Sequence, residues 1–145
     1  MSREFYPVFS SLADGSDITL CRILEATSQI AVGVNGGLLP HKKISTASTN
    51  ATVVKASSGK VYNLVAINTH NQTHYVRLYD LATTPNPSTD VEDYIIPLNA
   101  NQAISLALGM APFHFHNGIS YVITSGATGS GAIGAGDIVL NLTYA

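Results

Sequence analysis

The sequence predicts an all-β fold: an antiparallel β-sandwich, jelly-roll-like, with an irregular N-terminal arm. Three observations lead there. Short runs rich in β-branched and aromatic residues recur along the chain, each bounded by Gly, Pro, Asn or Ser clusters that favour turns. No segment combines end caps with an apolar repeat of 3.6 residues, so no helix stands out. At 145 residues the chain has the size at which one domain buries a full core.

The most regular stretch lies mid-chain. Val61-Tyr-Asn-Leu-Val-Ala-Ile-Asn68 follows the turn signal Ser57-Ser-Gly-Lys60 and reads as a strand. His74-Tyr-Val-Arg-Leu-Tyr-Asp80 alternates, with Val76 and Leu78 on one face and Tyr75, Arg77 and Tyr79 on the other. The polar Thr69-His-Asn-Gln-Thr73 between them has the length of a hairpin connection, so the two strands are expected to pair and form the structural centre. Pro85 and Pro87 make residues 81–90 a loop. Tyr94-Ile-Ile-Pro-Leu98 reads as a strand whose Pro97 belongs at an edge or a bulge. Ala103-Ile-Ser-Leu-Ala-Leu108 alternates as a strand does, although Ile and Leu also suit a short helix. Gly118-Ile-Ser-Tyr-Val-Ile-Thr124 and Asp137-Ile-Val-Leu-Asn-Leu-Thr-Tyr144 are strands joined by the glycine-rich loop Ser125 to Gly136. Earlier in the chain, Asp17-Ile-Thr-Leu-Cys-Arg-Ile-Leu24 has strand character, while Asn35-Gly-Gly37, Pro40 and the Ser/Thr run from Ser45 to Thr52 read as extended connection. Residues 1–50 are thus expected to form the arm and the first strand or strands, and residues 51–145 the sandwich core of a single domain.

Composition points to association. Charged residues make up 11% of the chain, against about 25% in ordinary soluble domains. The polar surface must come from Ser, Thr, Asn and Gln, and weak charge removes a repulsion that keeps surfaces apart. All seven Lys and Arg residues lie at or before Arg77, and only the acids Asp80, Asp90, Glu92, Asp93 and Asp137 follow it. Either the molecule has a basic and an acidic side, or the fold interleaves the charges. Nucleic-acid binding is not expected, since it calls for a dense basic patch. Cys21 is the one cysteine, which excludes an internal disulfide, and Leu20 and Ile23 beside it suggest a small buried hydrophobe. No apolar run reaches about 18 residues, and neither a signal peptide nor a spanning helix is expected. Asn50-Ala-Thr, Asn71-Gln-Thr and Asn141-Leu-Thr match the glycosylation sequon but read as polar sheet surface.

Candidate sites are few. Gly129-Ser-Gly131-Ala-Ile-Gly134 matches GxGxxG, but a strand follows it where a dinucleotide site needs a helix N-terminus and a later acid, so it reads as a flexible turn. His114-Phe-His116 places two imidazoles on one strand face, as a metal site would, yet residues 117–145 supply no further His or Glu and only Asp137 as an acid. His70 and His74 would complete that site only if their loop approached residue 114. The pair is therefore read as exposed or interfacial, and no bound metal or other cofactor is expected. The acids Asp90, Glu92 and Asp93 lack EF-hand spacing and read as a solvated turn. No Gly-x-Ser-x-Gly elbow or other catalytic motif is present, so no enzyme activity is expected. Tyr75, Arg77 and Tyr79 share one strand face and carry the residue types enriched at interface hot spots. Together with His114 and His116 they form the candidate interface. A glycan-binding sandwich, with Tyr75, Tyr79 and His116 as stacking surfaces, is the alternative from another class.

From about Thr52 onward the order of segments resembles a family of small tailed-phage virion proteins. The segments are Val54-Lys-Ala-Ser-Ser-Gly-Lys-Val-Tyr62, Ala66-Ile-Asn68, Tyr75-Val-Arg-Leu-Tyr-Asp80, Thr83-Thr-Pro85, Ile95-Ile-Pro-Leu98, Asn117-Gly-Ile-Ser-Tyr-Val-Ile-Thr-Ser-Gly126 and Gly136-Asp-Ile-Val-Leu-Asn-Leu-Thr-Tyr-Ala145. They span nearly two-thirds of the chain, and none is a catalytic motif. The resemblance implies a β-sandwich virion component, a capsid cement or decoration protein, with a tail or fibre module as the alternative. It implies a homo-oligomer, a trimer among the arrangements, with the major capsid protein as partner and no nucleic acid or membrane. The expected location is the capsid exterior, after synthesis in the host cytoplasm.

Overall fold

The computed structural model describes residues 37–145 of the chain. Cys21, the strand expected at Asp17–Leu24 and the Asn35 end of the expected connection lie outside these residues. The sandwich is a compact unit of residues 39–145.

Nine strands make it up: β1 (Leu39–Ile44), β2 (Thr52–Lys55), β3 (Gly59–Asn68), β4 (His74–Asp80), β5 (Tyr94–Leu98), β6 (Ala103–Ala107), β7 (Phe113–Phe115), β8 (Ile119–Thr124) and β9 (Ile138–Tyr144). There is no helix among the described residues. One sheet has the order β1-β9-β3-β6, with β7 pairing β3 beyond the end of β6, and the other has the order β2-β8-β4-β5. Every pairing is antiparallel. The pairs nest about the 81–93 loop: β4 with β5, β3 with β6 and β7, β2 with β8, and β1 with β9. That is one long hairpin rolled around a core, and the rolling adds the contacts β3–β9 and β4–β8. Rolling a hairpin this way gives the jelly-roll arrangement, so the expected fold class is the observed one.

The expected β3–β4 hairpin does not form. Both segments are strands, but β3 pairs with β6, β7 and β9, whereas β4 pairs with β5 and β8. Residues 69–73 carry the chain from one sheet to the other. A short polar connection fits a hairpin and a sheet-to-sheet corner equally well, and only the partners' positions distinguish them. Asn68 makes the corner. It is 1% exposed, and its side-chain amide donates to the carbonyls of Gln72 (2.8 Å), Leu98 (2.9 Å) and Asn99 (3.1 Å) while its Oδ1 accepts the His70 N–H (2.9 Å).

The core lies between the sheets. Val76 and Leu78 of β4, Ile96 and Leu98 of β5, and Ile119, Tyr121 and Ile123 of β8 face Val61, Leu64 and Ala66 of β3 and Leu140 and Leu142 of β9. Across it, His41 Nε2 meets the Tyr121 hydroxyl at 3.0 Å. Burial pushes the Tyr121 phenol up to about 12, against the pull of a hydrogen bond with Thr52.

The first described strand, β1, begins at Leu39, within the residues 1–50 expected to hold the first strand or strands. β1 escaped the sequence reading because Leu39-Pro-His-Lys-Lys-Ile44 shows no apolar alternation. It is an edge strand, where Pro40 costs no interior ladder bond and Lys42 and Lys43 discourage further pairing. The Ser45–Thr52 run is not extended either. Asn50, at φ 53° and 4% exposed, closes it into a turn by accepting from Thr46 N–H (2.7 Å) and donating to the carbonyls of Thr46 (3.0 Å) and Ser48 (2.9 Å). Pro97 sits on the edge strand β5, as expected, and residues 103–107 are the strand of the two alternatives. Nesting also decides the charge question. Strands from both halves of the described chain alternate within each sheet, and Arg77 pairs with Glu92, so segments of the basic and acidic stretches are interleaved among the described residues.

Candidate functional site

Tyr75, Arg77 and Tyr79 do lie on the face of β4 opposite Val76 and Leu78, but that face is covered. Arg77 is 2% exposed and Tyr79 is fully buried, while Tyr75 is half-buried. Two loops of the same chain cross over them. Arg77 Nη1 donates to the Gly129 carbonyl (2.7 Å), and Nη2 donates to the Pro87 carbonyl (3.2 Å) and to Glu92 Oε2 (2.9 Å). Its guanidinium carbon lies 5.7 Å from the centre of the Tyr79 ring. Burial is the largest single effect and opposes ionisation of Glu92, but the Arg77 hydrogen bond, a backbone hydrogen bond and the Arg77 charge together outweigh it and lower the pKa of the carboxyl. The expectation that this face is an open contact surface is thus corrected for Arg77 and Tyr79: both are buried, and Arg77 anchors the 81–93 and 125–136 loops. The same burial removes Tyr79 as a sugar-stacking platform. Glu92, read from sequence as part of a solvated turn, is the counter-ion of a buried arginine.

The glycine-rich segment has the same structural character. Ile133 pairs with Ser48 and is buried, and Ser45 Oγ donates to the Gly134 carbonyl (2.9 Å) and accepts the Ile138 N–H (3.0 Å). Pinned at both ends, this loop holds down Arg77 rather than a nucleotide.

His114 and His116 are exposed, with ring centres 4.4 Å apart. Their position follows from the phenylalanines between and before them. On the opposite side of β7, Phe113 stacks on Tyr94 of the other sheet at 3.9 Å, and Phe115 meets the same ring edge-on at 6.0 Å. Val91 and Met110, each just upstream of a stacked ring, are 86% and 94% exposed. Because Tyr94 and Phe113 touch, both loops run into one corner of the sandwich.

Asp80 secures the turn after His116. Its Oδ1 accepts the N–H groups of Asn117 (2.6 Å) and Gly118 (3.1 Å). Burial works against its ionisation, yet hydrogen bonds from the backbone of Asn117, Gly118 and His116, and the His116 charge, bring its pKa below the ordinary 3.8. An acid with a lower pKa in the folded state stabilises the fold when ionised, and this contribution is lost as pH falls from the ordinary value through the depressed one. Melting temperatures followed by circular dichroism between about pH 7 and about pH 2 should therefore drop more steeply for the wild type than for Asp80→Asn in the acid range. Parallel curves would show that ionised Asp80 does not hold the turn.

His70 and His74 do not approach residue 114. They meet Asp137, which precedes β9. One ligand atom from each of the three residues lies within 4.8 Å of the others, and His74 Nε2 is 3.5 Å from Asp137 Oδ2. The imidazoles of His70 and His74 stack with centres 5.0 Å apart. Nothing in the spacing of residues 70, 74 and 137 announces this cluster. It exists because the corner after β3 and the start of β9 lie side by side, joined by Thr69 N–H to the Asp137 carbonyl (2.8 Å).

No protein-family model matches the chain, and no curated protein does. Among solved structures it is similar to the coat protein of tobacco streak virus, at 8% identity and a TM-score of 0.35, covering 77% of this chain and 88% of that one. A structure of the coat protein dimer of tobacco streak virus matches at 9% identity and a TM-score of 0.35, over 74% of this chain and 84% of the other. Likeness at this level fixes neither the family nor the activity of the chain.

Proposed function

We propose that the chain is a non-enzymatic structural protein of a tailed-phage virion, a cement or decoration protein that self-associates and bridges major capsid protein subunits on the capsid exterior. The observation that carries this reading is the near-complete exposure of Val91 and Met110, two bulky apolar side chains on the loops that lead into the stacked rings of Tyr94 and Phe113, with His114 exposed on β7 and His116 just after it. Bulky apolar side chains exposed in this way suit a protein contact. The low charge of the chain and the resemblance of residues 52–145 to small virion proteins support the same reading. The jelly roll is compatible with it, as viral capsid domains use this arrangement, but so do lectin domains and cupins, so the surface must carry the argument. The mechanism is mechanical. Each copy adds contact area, on the order of 800 Å² per partner for a stable interface, that must be broken before the shell deforms.

Light scattering of the purified protein is expected to find an oligomer, and the protein should co-sediment with capsids that lack it. Replacing Val91 and Met110 with Asp together should weaken association or attachment, while changing fold stability by no more than about 0.5 kcal/mol per site, as exposed positions do. Deleting residues 1–16 measures any contribution of an N-terminal arm. A strictly monomeric chain that ignores capsids would overturn the proposal, and attachment to tails alone would favour the tail or fibre module.

A further inference from the structure

His74 stands out among the buried polar residues. It is 2% exposed, both ring nitrogens are shielded from water, and neither has a hydrogen-bond partner. The Nδ1 of His70 is likewise buried without a partner. A buried imidazole normally donates one N–H and accepts at the other nitrogen, and leaving these unsatisfied is costly. At 3.5 Å, Asp137 Oδ2 is an electrostatic neighbour of His74 Nε2 but too distant for a good hydrogen bond. The surroundings are fixed. Gly134 N–H donates to Asp137 Oδ2 at 2.7 Å, Thr69 Oγ1 donates to the Asp137 carbonyl at 3.1 Å, and the His70 carbonyl accepts the Asn101 N–H at 2.9 Å. Orphaned nitrogens in a rigid frame, aimed at a carboxylate, are what a cation would satisfy.

We propose that His70, His74 and Asp137 bind a divalent transition ion of the zinc type, which ties the two sheets together at this end of the sandwich. The donor set of two imidazoles and a carboxylate suits such an ion. Tetrahedral ligands at about 2.0–2.1 Å from the metal stand about 3.4 Å apart. The His74–Asp137 separation already has that value, and the remaining donors close on it by rotation of His70, which sits half-exposed in the corner loop. The topology gives the ion its effect. His74 opens β4 in one sheet, Asp137 precedes β9 in the other, and the corner residue His70 lies between them. His114 and His116, where no metal is expected, lie elsewhere; these three residues are a different site, independent of the capsid reading.

The test uses the full chain, free of any polyhistidine tag and stripped with a chelator. Titration calorimetry with Zn2+ should find one site, and thermal unfolding should shift up by roughly 10 °C when the free ion is about 100 times Kd. His70→Ala should weaken binding by more than the roughly 10–100-fold loss typical of outer-shell partners, without unfolding the protein. Asp137→Asn, which keeps an acceptor for Gly134, should do the same. The pair His114→Ala and His116→Ala should bind as the wild type does. Co2+ in place of Zn2+ should give visible absorption in the wild type that His70→Ala loses, a readout that survives if another variant fails to fold. Absence of stoichiometric Zn2+ binding by the wild type, or binding that depends on His114 and His116 instead, would overturn the proposal.

Discussion

Leu78→Asp should abolish the cooperative unfolding transition of the sandwich or leave the protein insoluble. Leu78 is fully buried in the core beside Tyr94 and Tyr121, its partners on either side of β4. A carboxylate there has no counter-ion, and desolvating it costs several kcal/mol even if it is protonated. Against a total stability of about 5–15 kcal/mol this is enough to unfold many domains. Leu78→Ala should remain folded but lose about 2–5 kcal/mol through the lost apolar contacts and the cavity, lowering the melting temperature by roughly 10–20 °C. Ile95→Asp supplies the contrast. Ile95 is 43% exposed on the adjacent strand, so the same charge should cost no more than about 1 kcal/mol. Circular dichroism melts of the three variants decide the matter. A soluble Leu78→Asp with an unchanged melt would place β4 the other way round.

The second large effect is expected at the Arg77–Glu92 pair. The two side chains are 3% and 16% exposed and meet at 2.9 Å. Glu92→Ala leaves a guanidinium buried with only the Gly129 and Pro87 carbonyls as acceptors. Breaking a buried pair from one side costs about 3–5 kcal/mol, because the remaining charge keeps its desolvation penalty. Exchanging both partners for apolar residues, as in Arg77→Met with Glu92→Leu, should recover most of that loss. Urea unfolding of the single and double variants measures the coupling directly. Equal losses in the single and double variants would mean that Arg77 serves its carbonyl partners and Glu92 is incidental. Either result bears on the surface as well, since Arg77 holds the 81–93 loop that carries the exposed Val91.

The sequence by itself determined the fold class and most of the strands. Val61–Asn68, His74–Asp80 and Ile138–Tyr144 carry their strand identity in β-branched and aromatic residues, a local property that survives any arrangement of partners. It also set which face of β4 enters the core, because a period of two leaves only two faces and Val76 and Leu78 mark the apolar one. Pairing belonged to the tertiary structure. Nothing within residues 61–80 distinguishes a hairpin from a corner, and the difference came from β6, β8 and β9, distant in sequence, which take the edges those strands offer. Burial of Arg77 and Tyr79 was decided in the same way. A strand's outward residues look alike in sequence whether water or a loop covers them, and here the loops of residues 81–93 and 125–136 fold back over them. The cluster of His70, His74 and Asp137 is the furthest from sequence. Its third member lies more than sixty positions from the first two, and only the rolling of one long hairpin brings the start of β9 against the corner between β3 and β4.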